Sequence, residues 1–258
     1  MDYHTTVEHY INSTPRLDAA VGELLELWRH SGPIEIGKAK KLLRYATSIS
    51  PNILNPDKYI PHCFEVSARS AQFGEQIGKN YPLLENLVRP EQLAFAGLTE
   101  DVMYLVGGDG SNNPNEKPSN PVHEILTYLQ LEHLGYQDLA EGMALHFASV
   151  ETLSIEQEQG RFLTVPIPNT PHPMLDILTG VDALCKDYWL PSDHQGDLEV
   201  ALRERIDDVI KRRGEVNHPL ITALKRGGRQ RIEIIVSRLN RLMKNILTEQ
   251  KVKEIYSL

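Results

Sequence analysis

Five stretches place a metal-ligating or acid-base side chain among apolar neighbours. They are His62 in IPHCFEVSARSA, Glu100 and Asp101 in LAFAGLTEDVMYL, His123 in PVHEILTYL, His146 in GMALHFASVE and Asp182 in LDILTGVDALCK. Imidazole nitrogen and carboxylate oxygen together suit hard or borderline cations, and a hydrolytic centre needs several such donors plus an open position for water. The residues are spaced 38, 22, 23 and 36 positions apart, so only tertiary packing can gather them. A carboxylate buried among Leu, Val and Ala is costly unless a cation compensates it or it protonates. Asp101 and Asp182 therefore point to a compensating charge. A lone helical histidine is more often a hydrogen-bonded core or surface residue, and the metal reading rests on the ensemble. His4, His9, His30, His133, His172, His194 and His218 fit no position in it.

The elements that must hold these residues read as helices. Apolar residues return at intervals of three and four in Ala19, Leu24, Leu25, Leu27 and Trp28, then in Ala39, Leu42, Leu43 and Ala46. A helix is expected from Ile60 to Gly78, with His62, Val66, Arg69, Phe73 and Ile77 along one stripe and Pro61 in its first turn. Another is expected from about Pro90 to Val106, burying Leu93, Ala94, Gly97, Leu98 and Asp101. Further helices follow near 122–134, 136–150 and 173–189. Residues 107–121 are so dense in Gly, Asn, Ser and Pro that they read as a long loop, and residues 160–173 as an extended segment or hairpin arm. Gly107, Gly108 and Gly110 lack the Lys-Ser/Thr of a phosphate loop and read as a flexible connection. From Gly196 onward two or three helices are expected, broken at Arg213-Gly214 and Gly227-Gly228. The fold class is all-α.

At 258 residues the chain buries a core without staples. Cys63 and Cys185 are too few and too distant for a disulfide framework or thiolate zinc site, which suggests reduced thiols in a reducing compartment. With no long apolar run and no leader-like start, the expected location is cytoplasmic, with no membrane partner. Charge is uneven. Residues 1–202 hold 13 Lys/Arg against 28 Asp/Glu, whereas residues 203–258 hold 14 against 7. A basic helical tail beside an acidic body favours charge complementarity within the chain or a homo-oligomer. Nucleic acid is possible through the tail but not favoured, because the tail offers little aromatic interleaving.

The order and setting of these segments resemble the HD superfamily of metal-dependent phosphohydrolases. Members run His, then His-Asp, then Asp, each on a different helix, and two-metal branches insert two further His ligands before the last Asp. HCFEVSARSA is similar to the opening His helix, AFAGLTEDV to the dyad helix and LDILTGVDAL to the closing Asp helix, over residues 58–190. The resemblance implies an HD-like bundle over 58–195, with a helical extension at 1–57 and a basic helical extension at 196–258 packing on the same core. It makes His62, Asp101 and Asp182 ligands and adds His123 and His146 as a second metal site. Two positions depart: Glu100 stands where the family has the dyad His, and Met103 where it has Gly.

What the resemblance implies is hydrolysis of a phosphate ester, a nucleotide or phosphodiester, with one or two divalent ions among which Fe, Mn, Mg, Zn and Ni are not distinguished. Asp101, bridging, and Glu100 would carry the chemistry, while Arg69, Lys117 or Lys186 would steady the phosphate. As plain surface cations, these three would instead pair with carboxylates. One rival is a degenerate HD domain acting as a regulatory or ligand-sensing module. Another is a helical binding or scaffold protein in which the same residues are merely buried polar groups.

Overall fold

A computed structural model describes residues 13–29, 33–53, 55–106, 152–158, 161–166, 171–185, 200 and 229–258. His123, His146, Lys117 and Lys186, the helices expected at 122–134 and 136–150 and the loop 107–121 lie outside the described residues.

Helix α1, Pro15–Glu26, starts where Thr14 accepts a hydrogen bond from the Leu17 amide at 3.3 Å and Pro15 occupies the first turn. It buries Leu17, Ala20, Val21, Leu24 and Leu25, so Leu24 and Leu25 of the expected stripe are buried and Ala19 is exposed. A short 3-10 turn at Leu27–Arg29 then sets Trp28 edge-on to Phe95, with ring centroids 4.6 Å apart. Helix α2, Ile36–Ile49, buries Ala39, Leu43, Ala46 and Thr47.

Helix α3, Pro56–Asn80, begins four residues earlier than expected, because Pro56 supplies the N-terminal proline. Pro61 is therefore inside the helix. It lacks the N–H that would meet the Asp57 carbonyl, but Asp57 is exposed and water can take that acceptor. Helix α4, Pro90–Thr99, is buried at every position from Leu93 onward, as expected of the central helix of a bundle. It approaches α3 closely at Gly97, where a Cβ would stand 3.0 Å from the Val66 backbone. Ser67 Oγ of α3 donates to the Ala94 carbonyl at 2.6 Å, fixing the same contact.

The helix expected to reach Val106 ends at Thr99. Glu100 and Asp101 form a turn, followed by a 3-10 segment at Val102–Tyr104. Asp101 has φ −95° and ψ 13°, outside helical geometry, and three outside donors hold the departing chain. Tyr59 Oη donates to the Asp101 carbonyl at 3.0 Å, and Ser50 Oγ and Asn52 Nδ2 donate to the Leu105 carbonyl at 2.6 and 2.9 Å.

Strands β1, Thr152–Glu158, and β2, Arg161–Pro166, form an antiparallel hairpin pairing Leu153 with Val165 and Ile155 with Leu163. The second arm was expected. The first went unread, although Leu153-Ser154-Ile155-Glu156 alternates with period two. Helix α5, Pro173–Cys185, follows. Helix α6, Arg229–Met243, closes on α5 at Gly180, where a Cβ would collide with the Leu239 side chain. Asn245 in the left-handed conformation turns the chain into α7, Glu249–Tyr256. The end of α3 secures that turn: Asn80 Nδ2 donates to the Leu242 carbonyl at 3.2 Å, and the Leu247 amide donates to Tyr81 Oη at 3.0 Å. Buried residues of α1 through α7, from Leu17 to Tyr256, belong to one hydrophobic cluster, and the class is all-α with this single hairpin among the described residues.

Candidate metal centre

Three elements deliver the candidate ligands to one place. The second turn of α3 carries His62, the turn after α4 carries Glu100 and Asp101, and the last turns of α5 carry Asp182. His62 Nε2 lies 3.5 Å from Asp101 Oδ2, 3.5 Å from Asp182 Oδ1 and 3.9 Å from Glu100 Oε1. One ligand atom each from His62, Glu100 and Asp182 fall within 4.8 Å of one another, close enough to hold a metal ion. The setting is dry: Glu100 and Asp182 are 0% exposed and Asp101 5%.

The imidazole is oriented from behind. His62 Nδ1 lies 3.2 Å from the Cys185 carbonyl on α5. A carbonyl only accepts, so Nδ1 carries a proton and Nε2 is the nitrogen that faces the carboxylates, the orientation in which a histidine with a supporting hydrogen bond ligates a metal. The donor set is thus one imidazole nitrogen and carboxylate oxygens on three adjacent elements. That set fits a hard or borderline cation and would be poor for a soft one.

Neighbouring groups register the same field. Burial holds the Cys63 thiol well above its usual value, and the charges of Asp101 and Glu100 push it in the same direction. Burial likewise raises Tyr59, helped by Cys63 and Asp101. The Cys185 thiol is raised by burial, then by Glu65, with Arg69 partly offsetting and Asp182 and Glu100 adding to the rise. These are inert, protonated thiols beside a concentration of negative charge.

Of the residues expected at the site, His62, Glu100, Asp101 and Asp182 come together. Arg69 is half-exposed and bonded to Glu65 at 2.7 Å, a pair one turn apart on α3, and its charge reaches the Cys185 thiol. The sequence reading missed Tyr59, whose hydroxyl holds the Asp101 backbone, and the Cys185 carbonyl that orients His62. Tyr59 lies one turn before Cys63 and next to His62 in the helical spacing, which could have drawn attention to it. A backbone carbonyl leaves no trace in residue types. Among the described residues no helix is long and apolar enough to cross a membrane. Comparison with known protein families, curated proteins and solved structures finds no match to this chain.

Proposed function

We propose that the chain is a metal-dependent phosphohydrolase of HD type, in which His62, Glu100, Asp101 and Asp182 hold a divalent cation and a phosphate ester is the substrate. The observation that carries this reading is the convergence of one oriented imidazole and three carboxylates, in the order His, Glu-Asp, Asp, on three packed elements. His123 and His146 are the further ligands if two ions bind. When bound, such an ion supplies charge to the phosphoryl oxygens and acidity to an attacking water. The protein's own part is positioning. The Cys185 carbonyl fixes the His62 ring and Tyr59 fixes the Asp101 backbone, and Asp101 would be the carboxylate that takes a proton from the attacking water.

Glu100 favours a second reading, a metal-binding regulatory module without turnover. It replaces a nitrogen donor by a third carboxylate, which weakens the driving force for activating water while keeping affinity for hard cations. Hydrolysis of bis(p-nitrophenyl) phosphate by protein loaded in turn with Mg, Mn, Fe, Zn and Ni separates the readings. A hydrolase turns over, and Asp101→Ala lowers the rate by about 10² or more. A regulatory module binds metal and does not turn over, and absence of binding as well removes both readings. Glu100→Gln is expected to lower metal occupancy, and Glu100→His to shift preference from Mg toward Fe, Zn or Ni.

A further inference from the structure

Helix α2 stands out by sign in the acidic body. Helix α2 carries Lys38, Lys40, Lys41 and Arg44 and no acidic residue. Glu23 of α1 takes up Lys38 at 3.5 Å. Among the described residues no carboxylate lies within ion-pair distance of Lys40, Lys41 or Arg44. Lys40 Nζ and Arg44 Cζ, one turn apart, lie instead 4.9 and 4.8 Å from the centroid of the same Phe64 ring on α3. Beside them Arg16 of α1 stands over the exposed Tyr45 ring at 5.5 Å and donates from Nε to its hydroxyl. Like charges one turn apart on a helix repel, and where two converge on one ring an anion is the natural complement.

We infer that this α1–α2–α3 face, built on Lys40, Lys41, Arg44 and Arg16 around Phe64 and Tyr45, binds single-stranded nucleic acid. Cations meet phosphates, while exposed guanidinium planes and the Tyr45 ring offer surfaces on which bases stack; this pairing of charge and π surface is what a single strand requires and an acidic peptide does not. The net charge of residues 1–202, 13 Lys/Arg against 28 Asp/Glu, sets these cations apart from the acidic sequence around them. Phe64 stands two residues from His62 on α3, so the face adjoins the helix that carries the candidate metal ligand. Binding at this face does not depend on hydrolysis at that centre. The basic tail drew attention in the sequence for its charge, but the interleaving of cations with rings appears here.

The test is fluorescence anisotropy of a labelled mixed-sequence 20-nucleotide DNA with the full chain across a salt series. The wild type is expected to bind with a Kd of about 10⁻⁶ to 10⁻⁴ M, and affinity to fall as salt rises. Lys40→Gln with Arg44→Gln should weaken binding at least tenfold and lower the log–log salt slope by about 1.4, the share of two phosphate contacts on a single strand. Tyr45→Ala, at an exposed position, should weaken binding without changing the slope. Unchanged far-ultraviolet circular dichroism and melting temperature confirm that the variants fold. The inference is overturned if the wild type does not bind, or if the double variant binds like wild type. It is also overturned if Arg241→Gln at the end of α6 with Lys244→Gln in the turn that follows causes the loss instead. Equal competition by polyglutamate would show an acidic-protein surface and overturn the nucleic-acid assignment.

Discussion

Asp176 and Asp182 lie six residues apart on α5, both with 0% exposure, and meet opposite surroundings. Asp176 faces the C-terminal helices. Arg238 of α6 donates to it twice, from Nε at 2.9 Å and Nη2 at 2.6 Å, and Tyr256 of α7 donates to the same carboxylate at 2.7 Å. Asp182 faces α3 and the turn after α4, where it meets His62 and the carboxylate of Glu100. Burial pushes Asp176 up, but a two-pronged guanidinium contact under 3 Å needs an ionised carboxylate, and we take the pair as ionised. Burial works against Arg238 as well, yet the hydrogen bonds and charge of Asp176 outweigh it and hold the guanidinium above its ordinary value. The first aspartate is thus neutralised from within the protein and fastens the tail. The second is grouped with like charges, an arrangement that a fold retains at a cost and that a cation relieves. A buried acid by itself therefore says little; the charge standing opposite distinguishes a fastener from a ligand.

The largest effect expected is at the fastener. Arg238→Ala leaves Asp176 buried without its guanidinium and should cost about 3–5 kcal/mol in urea denaturation. In chelator, Asp182→Asn should cost far less, because it leaves no buried guanidinium without its partner. Equal losses at the two positions would erase the distinction between them.

A smaller loss is expected from the packing that aims the ligand-bearing turn. Gly97→Ala puts a methyl against the Val66 backbone and should cost about 1–3 kcal/mol. Because α4 ends directly before Glu100, the same change should weaken metal affinity, whereas the Arg238 variant should not. Calorimetric titration of both variants checks this.

The smallest effect is a pH dependence at the fastener. Burial, followed by the charge of Asp176, raises the Tyr256 hydroxyl above its ordinary value. The folded protein therefore keeps this proton where the unfolded chain has lost it. The contribution is complete below about pH 10 and is lost as pH rises toward the folded value, at about 1.4 kcal/mol per pH unit. Tyr256→Phe should flatten that limb of the stability profile and cost about 1 kcal/mol at neutral pH for the lost hydrogen bond.

The two aspartates also mark how far the sequence could be read. LDILTGVDALC contains both, and its apolar run shows that each is buried. Only Asp182 stood out, because the resemblance of LDILTGVDAL to a closing Asp helix singled it out. Asp176 has its partner 62 residues away in Arg238, and nothing local marks that pairing. The helices were legible from their three-and-four periodicity, but their ends were not. Val102, Met103, Leu105 and Val106 continue the apolar pattern past Thr99, yet the chain leaves the helix because Tyr59, Ser50 and Asn52 hold it from other elements. Likewise Pro61 looked like a helix start because Pro56, in a less apolar setting, gave a weaker signal. Types and order in the sequence marked the residues that gather at the described site; the contacts that orient them are tertiary and partly made by backbone.

The most direct measurement is the melting temperature of metal-stripped protein before and after addition of Mn²⁺, in wild type, Asp182→Asn and Arg238→Ala. Wild type at a hundredfold excess over Kd should gain about 2.7 kcal/mol of stability, and Arg238→Ala should gain as much from its lower starting point. Asp182→Asn should lose most of the gain. A wild type indifferent to every divalent ion, or an Asp182→Asn variant with an undiminished gain, would contradict a metal centre built on His62, Glu100, Asp101 and Asp182.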